Sequence, residues 1–449
     1  MVTLHEAAAQ GDVAELKRLI NHGADINARD SNGRTAVLVA GNLTVAEYLI
    51  AHGADIHAKT ENGESLLHDL AWGNISLECD IAALLIARGI DVHARASDDR
   101  TALHSAADAG NTGLIELLLK HAADINGRDS TGRTPIFYAA TAAVVDSLAT
   151  GGADIDARDG NGLPALYWAH PLEVTQALVA KGADIHARGP SGWTALHMAE
   201  LLSIERHEII RFLVAEGASI NARDELGNTP LHTVRKAAIA ELLLSLGSDI
   251  RADNKFGQTA LHVAAEHSDG ALVKILLAHG APPHSRDRNG NTPLHLVRTK
   301  RAAEALLASG AVINVRNESG ETPLHMAWGE DIVSVLLADG ADVAARDNEG
   351  RSPLHCLPRF QGGEAVIHLL LAHGGDPNAR TNQGHTPLHE KVAFGAKAIN
   401  SLLDAGAAVN ATDDLGSTPL DLALKWTHDG GERANALRAR GGKSGTAIS

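Results

Sequence analysis

The tetrapeptide TPLH, or a close variant of it, recurs along the whole chain at intervals of 30 to 36 residues. A sequence period in this range is typical of a repeat array, in which each copy packs only against its neighbours. Fourteen copies account for nearly all of the 449 residues, so little of the chain is left for another kind of domain. The clear copies begin at Thr101, Thr134, Thr194, Thr229, Thr259, Thr292, Thr322, Ser352, Thr386 and Thr418, and degenerate copies begin at Val2, Thr35, Ser65 and Pro164.

Each copy predicts a tight turn, which we call the tip, followed by two short helices and an extended segment that leads to the next tip. The Thr of TPLH is a good N-cap, and the Pro after it suits the first helical position. The second helix carries paired aliphatic residues and ends at a Gly such as Gly280, where a left-handed residue is favoured. A second Gly, such as Gly290, marks the tip. Two positions depart from this pattern, because Ala122 replaces the helix-end Gly and Asp99 replaces the tip Gly. We expect a strain of about 1 kcal/mol at Ala122.

The combination of TPLHxA, LLxxGAD and a DxxG tip resembles the ankyrin repeat. The resemblance covers about residues 1–441 and implies an all-α solenoid of stacked helix-turn-helix repeats with β-turn tips, forming a curved, elongated superhelix. Polar outer helices at both ends predict an N-terminal capping repeat at 1–34 and a C-terminal capping repeat at 417–441. The small and polar residues 442–449 predict a disordered tail.

Composition and charge narrow the class of protein. The chain is 44% hydrophobic but only 3% aromatic, so Ala, Leu, Ile and Val must build the core. We find neither the apolar run that a membrane helix needs nor a signal-peptide pattern at the N-terminus. We therefore expect a cytoplasmic monomer that contacts no membrane, and we leave secretion into a host cell by an unrecognised route open. The net charge of −16 disfavours binding to nucleic acid.

The 25 histidines do not predict a metal site. Ten of them occupy the last position of TPLH, and consecutive copies should lie about one helix spacing apart, too far to share one ion. The resemblance implies instead that this residue, which we call the TPLH histidine, forms local hydrogen bonds that order the tip. The chain contains no HExxH, GxSxG or CxxC spacing, and Cys79 and Cys356 lie in distant repeats. We therefore expect no catalytic residues, no cofactor and no enzyme activity.

Basic residues recur at one position shortly before the tip, from Arg29 to Arg380. One interpretation is a positive row that binds an extended anionic partner. The other is an edge whose charge is balanced by the aspartates that directly follow, such as Asp30 and Asp129. The acidic net charge favours the second interpretation.

The candidate binding surface follows from positions where the repeat varies. The resemblance implies that the residue after the TPLH histidine faces a concave groove, and that partners bind there and at the tips. In this chain that position is mostly apolar from Tyr138 to Cys356, and we call these residues the apolar stripe. Contiguous apolar surface with aromatic anchors is typical of an interface. Including two apolar residues at tips, we predict partner binding at Tyr138, Leu163, Trp168, Trp193, Met198, Val263, Leu296 and Met326.

Internal packing is the alternative for the apolar stripe. Six repeats are only 30 residues long, having lost about three residues between their helices, and shorter first helices could turn the stripe toward neighbouring repeats. The function that the sequence favours is a non-catalytic protein–protein interaction module, acting as adaptor, scaffold or inhibitor. The alternatives are a bacterial or viral effector acting on host proteins, an enzyme accessory, and a nucleic-acid-binding protein.

Overall fold

The computed structural model describes residues 2–31, 33–73, 75–198, 206–267, 270–356, 363–392, 395–426 and 431–445. The chain divides into two compact units, Met1–Ser219 and Ile220–Ser449, which we call the N-terminal unit and the C-terminal unit. In two of the longer repeats, the extra residues at 200–207 and 358–363 are expected to make the turn between the helices bulge, but these turns lie largely outside the described residues.

The described part of the N-terminal unit contains ten α-helices and four short 3₁₀ helices. The α-helices are α1 (Leu4–Ala9), α2 (Val13–Asn21), α3 (Leu43–Ala51), α4 (Leu66–Asp69), α5 (Ile75–Ala87), α6 (Ala102–Asp108), α7 (Thr112–Lys120), α8 (Ala142–Thr150), α9 (Leu172–Ala180) and α10 (Arg206–Ala215). The 3₁₀ helices are Leu70–Trp72, Pro135–Tyr138, Ala165–Tyr167 and Pro190–Gly192.

The C-terminal unit follows the same pattern. Its described residues form α11 (Pro230–Thr233), α12 (Ala237–Ser245), α13 (Ala260–His267), α14 (Ala271–Ala278), α15 (Lys300–Ala308), α16 (Pro323–Met326), α17 (Glu330–Ala338), α18 (Gly363–Ala372), α19 (Pro387–Lys391), α20 (Ala396–Asp404), α21 (Pro419–Trp426) and α22 (Gly431–Ala439), with one 3₁₀ helix at Pro293–Leu296.

The second helices of successive repeats stack on each other within each unit. In the N-terminal unit α7 packs between α5 and α8, and in the C-terminal unit α14 packs between α12 and α15. Their inward-facing aliphatic side chains, such as Leu118 and Leu276, are fully buried. Burying a side chain of this size contributes about 2 kcal/mol. We find no strands in the described ranges, only isolated bridges between the segment before a tip and the start of the next repeat, such as Arg95 with Thr101. The architecture is the all-α repeat array expected from the sequence.

The 30-residue repeats have a first helix of only about one turn. It is a 3₁₀ helix at Pro135–Tyr138 and at Ala165–Tyr167, whereas the longer repeats have regular helices at α6 (Ala102–Asp108) and α13 (Ala260–His267). The deletion between helices therefore removes the last turn of the first helix, as the sequence predicted. The residue after the TPLH histidine consequently lies at a helix end in the shortened repeats.

The TPLH histidine connects its own repeat to the next one. In the repeat at Thr101, Nδ1 of His104 accepts the backbone N–H of Thr101 at 3.1 Å, and Nε2 donates to the carbonyl oxygen of Arg133 at 3.1 Å. His68, His232, His262, His295, His325, His355 and His389 repeat this arrangement. The tip-ordering role implied by the resemblance is therefore confirmed.

The basic row before the tips binds backbone carbonyls. Nη1 of Arg128 donates to the carbonyl oxygens of Gly132 at 2.6 Å and of Arg158, in the next repeat, at 2.5 Å. The neighbouring Asp129 accepts the backbone N–H of Arg133 instead of pairing with Arg128. The arginines thus join consecutive repeats through carbonyl groups. This role is neither of the two interpretations of the sequence, which were a positive row that binds an anionic partner and an edge whose charge is balanced by the aspartates that follow.

Two departures from the glycine pattern adopt the left-handed conformation that glycine favours. Ala122 and Asp99 both have φ of 62°. Gly89, at the helix-end position of the preceding repeat, has φ of 88°. A left-handed alanine carries a steric cost that glycine avoids, so the strain expected at Ala122 has a structural basis.

The C-terminal tail differs from the expectation of disorder in its first residues. Oδ1 of Asp421 accepts from Oγ of Ser444 at 2.6 Å, and Oδ2 accepts the backbone N–H of Gly445 at 2.8 Å. The backbone N–H of Lys443 also donates to Oδ1 of Asn410 at 2.7 Å. Asp421 occupies the position of the TPLH histidine in the last repeat, so the tail binds where a following tip would otherwise lie. Residues 446–449 lie outside the described residues.

Candidate functional site

Tyr138 lies half-buried at the end of the 3₁₀ helix Pro135–Tyr138. The guanidinium of Arg100, from the preceding repeat, lies 4.0 Å from the centre of its ring, within the range of a cation–π contact. Its hydroxyl donates to Oδ2 of Asp129 at 2.6 Å. Burial and this hydrogen bond raise the pKa of Tyr138. The ring is thus covered on one side by its own array and cannot present both faces to a partner.

Trp168 repeats this arrangement one repeat later. The guanidinium of Arg133 lies 4.4 Å from the centre of the Trp168 ring, and the indole is half-buried. Its Nε1–H is shielded from solvent and has no hydrogen-bond acceptor among the described residues. Nε of Arg133 also has no hydrogen-bond partner there, although it lies 3.9 Å from Oδ2 of Asp159. Arg133 and Trp168 line a cleft of about 350 Å³, together with Tyr138 and Val174.

Leu163 and Trp193 lie half-buried at the tips of consecutive repeats. Leu163 extends over the next tip, since a Cβ atom at Gly189 would lie 2.5 Å from its Cδ2. Trp193 supplies the carbonyl oxygen that accepts from the hydroxyl of Tyr167 at 2.7 Å. Tyr167 stands in the TPLH histidine position and makes the same connection to the next repeat, and burial raises its pKa to about 12.

The remaining predicted residues lie at different depths. Met198 and Leu296 are only 6% and 7% exposed, so in this conformation they belong to the core, which differs from the expectation for a binding surface. Val263 and Met326 are half-buried in the C-terminal unit, and Sδ of Met326 lies 3.6 Å from Nδ2 of Asn317. The structure brings Tyr138 and Trp168 together at one cleft. The stripe residues of the C-terminal unit form no part of that cleft.

Several exposed apolar side chains escaped the sequence reasoning. Leu226 and Phe256 are 50% and 53% exposed at consecutive tips, and Leu415 is 91% exposed at the last tip. All three immediately precede the tip glycine, whereas Leu163 and Trp193, the tip residues identified from the sequence, directly follow it. Comparing this second tip position along the array would have found them. Trp72 and Trp328 are also exposed, at 60% and 43%.

No group of three or more His, Cys, Asp or Glu residues in the described ranges is arranged to hold a metal ion. Within the same ranges, no helix has both the length and the apolar character required to cross a membrane.

A family profile described as ankyrin repeats (3 copies) matches residues 4–96, 67–159, 164–254, 234–317 and 296–378. Together these matches cover most of the chain. The chain belongs to the ankyrin repeat family. A search of curated proteins found no significant match. Ankyrin repeats are general protein–protein interaction modules and are typically non-catalytic, so the family indicates protein partners for this ankyrin repeat protein.

The ankyrin repeat architecture separates the side chains that build the fold from those left for binding. The TPLH histidines and the arginines before the tips have their hydrogen bonds filled by the next repeat. Residues at variable positions have no such constraint, and two of the largest in the N-terminal unit, Tyr138 and Trp168, line one cleft. This cleft is the candidate site that the geometry favours.

Proposed function

We propose that this ankyrin repeat protein is a non-catalytic adaptor, scaffold or inhibitor. It binds a partner protein through the N-terminal surface, which we define as Tyr138, Leu163, Trp168 and Trp193. These four residues are large apolar or aromatic side chains at positions that the repeat leaves variable, and each remains partly accessible to solvent. Aromatic anchors of this kind contribute about 2 kcal/mol or more each when an interface buries them centrally.

The unpaired Nε1–H of Trp168 carries this proposal. A buried donor without an acceptor costs about 1–3 kcal/mol, and a fold that retains one without a compensating role is unusual. A partner whose binding opens the cleft around the indole and brings a carbonyl or carboxylate oxygen to Nε1 would satisfy this donor. Nε of Arg133, in the same cleft, provides a second donor of the same kind and adds positive charge.

The other predicted contacts take secondary places in this proposal. Val263 and Met326 remain proposed contacts in the C-terminal unit because they are partly accessible. Met198 and Leu296 are buried and are not proposed as direct contacts in this conformation.

Two substitutions separate binding from packing at the N-terminal surface. Trp193→Ala should weaken partner binding at least tenfold, since a factor of ten corresponds to about 1.4 kcal/mol. Its melting temperature should change little. Trp168→Phe keeps a ring beneath Arg133 but removes the unpaired N–H, so it should lower affinity without lowering stability.

The measurement is titration calorimetry with the partner captured by a photo-crosslinking residue placed at position 161, an exposed tip position beside Leu163 that keeps all four residues of the N-terminal surface. Trp328→Phe is the matched control, because Trp328 also stacks with an arginine, Arg298, at 4.5 Å but lies in the C-terminal unit. The proposal fails if Trp168→Phe leaves affinity unchanged and Trp168→Ala only lowers the melting temperature, because the surface would then serve packing alone.

A further inference from the structure

The tips of consecutive repeats are joined by a regular backbone hydrogen bond. The backbone N–H of Lys255 donates to the carbonyl oxygen of Leu226 at 2.8 Å, and that of Arg288 donates to the carbonyl oxygen of Phe256 at 2.9 Å. Each tip therefore offers one donor residue and, next to it in sequence, one acceptor residue. Because the hydrogen bond repeats, side chains at these two positions can be compared directly from tip to tip.

This comparison singles out the tips at 226, 256 and 288. The other donor residues in tip-to-tip bonds of the described chain are Ser97, Ser130, Gly160, Glu318, Asn348, Asn382 and Asp414, none of them a cation. The other acceptor residues are Asn62, Asp98, Thr131, Asn289, Ser319, Glu349 and Gln383, none of them apolar. Only here do two apolar residues alternate with two cations, and we call Leu226, Phe256, Lys255 and Arg288 the tip patch.

The four side chains of the tip patch are exposed and held in place. Leu226 and Phe256 are 50% and 53% exposed. The aliphatic part of the Lys255 side chain lies across Gly227, since a Cβ atom added to Gly227 would be 3.3 Å from Cγ of Lys255. Arg288 lies across Gly257 in the same way, since a Cβ atom added to Gly257 would be 3.2 Å from Cγ of Arg288. The structure contains no ion pair to Lys255 or Arg288 within the ranges it describes. Two positioned cations thus face solvent beside two apolar groups in an acidic chain.

We propose that the tip patch is a docking surface for an acidic, extended peptide segment that carries apolar side chains. Neighbouring repeats stack at about 10 Å. An extended segment in the polyproline II conformation advances about 3.1 Å per residue and has three residues per turn, so every third side chain points to the same side and meets the next tip. Apolar residues at that spacing contact Leu226 and Phe256, while intervening carboxylates approach Lys255 and Arg288. The inference rests on the proposed protein-binding function but does not require the N-terminal surface.

The surrounding charge argues for a peptide over a nucleic acid. Glu225 lies next to Leu226 at the first tip of the patch, Glu318 lies at the tip after Arg288, and the side chain of Asp253, just before Lys255, is 64% exposed. A polyanionic backbone would pass these carboxylates on both sides of the tip patch. A short acidic segment needs only the two cations.

The test is a peptide selection on the full-length protein. A random peptide library is selected on the wild-type chain and counter-selected on a variant carrying L226S, F256S, K255E and R288E, whose circular dichroism melt must match that of the wild type. We expect peptides rich in Asp and Glu with apolar residues three apart. Their affinity, measured by fluorescence anisotropy, should fall at least tenfold with K255E and R288E together and should weaken with salt.

Three single substitutions check whether peptide binding depends specifically on the tip patch. Leu415→Ser removes an exposed leucine from the same tip position, where Asp414 replaces the cation, and should leave peptide affinity unchanged. Glu318→Lys extends the row of cations by one tip and should raise affinity. Trp193→Ala should bind the selected peptides as the wild type does, even if it loses its partner, so failure of the N-terminal surface is seen separately.

Three results would overturn the inference. The first is a selection that yields no peptide dependent on the tip patch, or only peptides without acidic residues. The second is binding of single-stranded oligothymidylate with the same dependence on Lys255 and Arg288, which would indicate a nucleic-acid site. The third is self-association of the wild type that Phe256→Ser abolishes, which would make the tip patch a contact between two copies of the chain.

Discussion

His104 donates from Nε2 to the carbonyl oxygen of Arg133 at 3.1 Å while its Nδ1 accepts the backbone N–H of Thr101. Because Nδ1 accepts, the ring carries its single proton on Nε2 and is neutral. Each such histidine therefore makes two hydrogen bonds simultaneously, one that orders the first helix of its own repeat and one that binds the next tip. The abundance of histidine in this chain is a property of the repeat connection and implies no metal chemistry.

Loss of a TPLH histidine should destabilise the array. His104→Ala removes both hydrogen bonds and leaves the Thr101 N–H and the Arg133 carbonyl without this partner, which we expect to lower the free energy of unfolding by about 2–3 kcal/mol. Chemical denaturation measures this loss. His93→Ala is the matched control, because His93 is exposed and lies outside the TPLH position. Equal stability of the two variants would refute the connecting role.

Acid should destabilise the protein through the same histidines. Burial lowers the pKa of His295 and of His355 from 6.5 to about 4, and it lowers the pKa of His104 in the same direction. Below pH 6.5 the unfolded chain binds protons that the folded chain does not, so stability is complete above that pH and falls toward pH 4.

We therefore expect a lower urea midpoint near pH 5 than near pH 7. Replacing His295 by Gln removes one titrating group and should reduce the difference between the two midpoints. A pH dependence that His295→Gln leaves unchanged would show that other groups control the acid sensitivity.

Relief of strain at Ala122 should stabilise the protein. Ala122→Gly places glycine at a φ of 62° and should raise the free energy of unfolding by about 1 kcal/mol, because glycine adopts this conformation without a steric penalty. Ala123→Gly, at the next position, should lower it, because that residue has no positive φ to relieve. If Ala122→Gly is destabilising, the left-handed alanine stores no significant strain.

The tail contact at Asp421 should contribute to stability at neutral pH. Burial opposes the ionisation of Asp421, but hydrogen bonds from Ser444, Thr418 and Gly445 outweigh it and hold its pKa at about 2. Its contribution is therefore present above the ordinary value of 3.8 and is lost as the pH falls toward 2.

Asp421→Ala should lower the free energy of unfolding by about 2 kcal/mol at neutral pH. Asp414→Ala, at an exposed tip, should change it by less than about 0.5 kcal/mol. Thermal denaturation of the two variants measures the difference. A similar small effect at both sites would mean that residues 443–445 add nothing to the last repeat.

The fold could be predicted from the sequence because each feature recurs many times. One TPLH copy is weak evidence for a fold. The repeated spacing of Thr, His and Gly, however, predicts the helix starts, the connection between repeats and the tip together. The shortened first helices at Pro135–Tyr138 and Ala165–Tyr167 followed from the same spacing. The ordering of the tail by Asp421 was missed because it replaces histidine only once, and a single substitution carries no periodic signal.

The candidate site was harder to predict because the burial of a side chain depends on how the repeats pack and not on its position in the sequence repeat. Met198 and Leu296 share the position of Trp168 in the repeat, yet both are buried. The arginines that cover Tyr138 and Trp168 come from preceding repeats, so their contacts depend on how closely the repeats stack. Sequence position alone identified the variable residues, while the structure was needed to distinguish the partly accessible ones.

Hydroxyl-radical footprinting of the full-length protein, with and without its captured partner, tests the central claim most directly. It reports the solvent access of individual tryptophans, and Trp72, which is 60% exposed in the same unit, serves as an internal reference. Partner binding through the N-terminal surface predicts that oxidation of Trp168 and Trp193 falls while that of Trp72 stays the same. Unchanged oxidation of Trp168 and Trp193 in a saturated complex would contradict the proposed function at this surface.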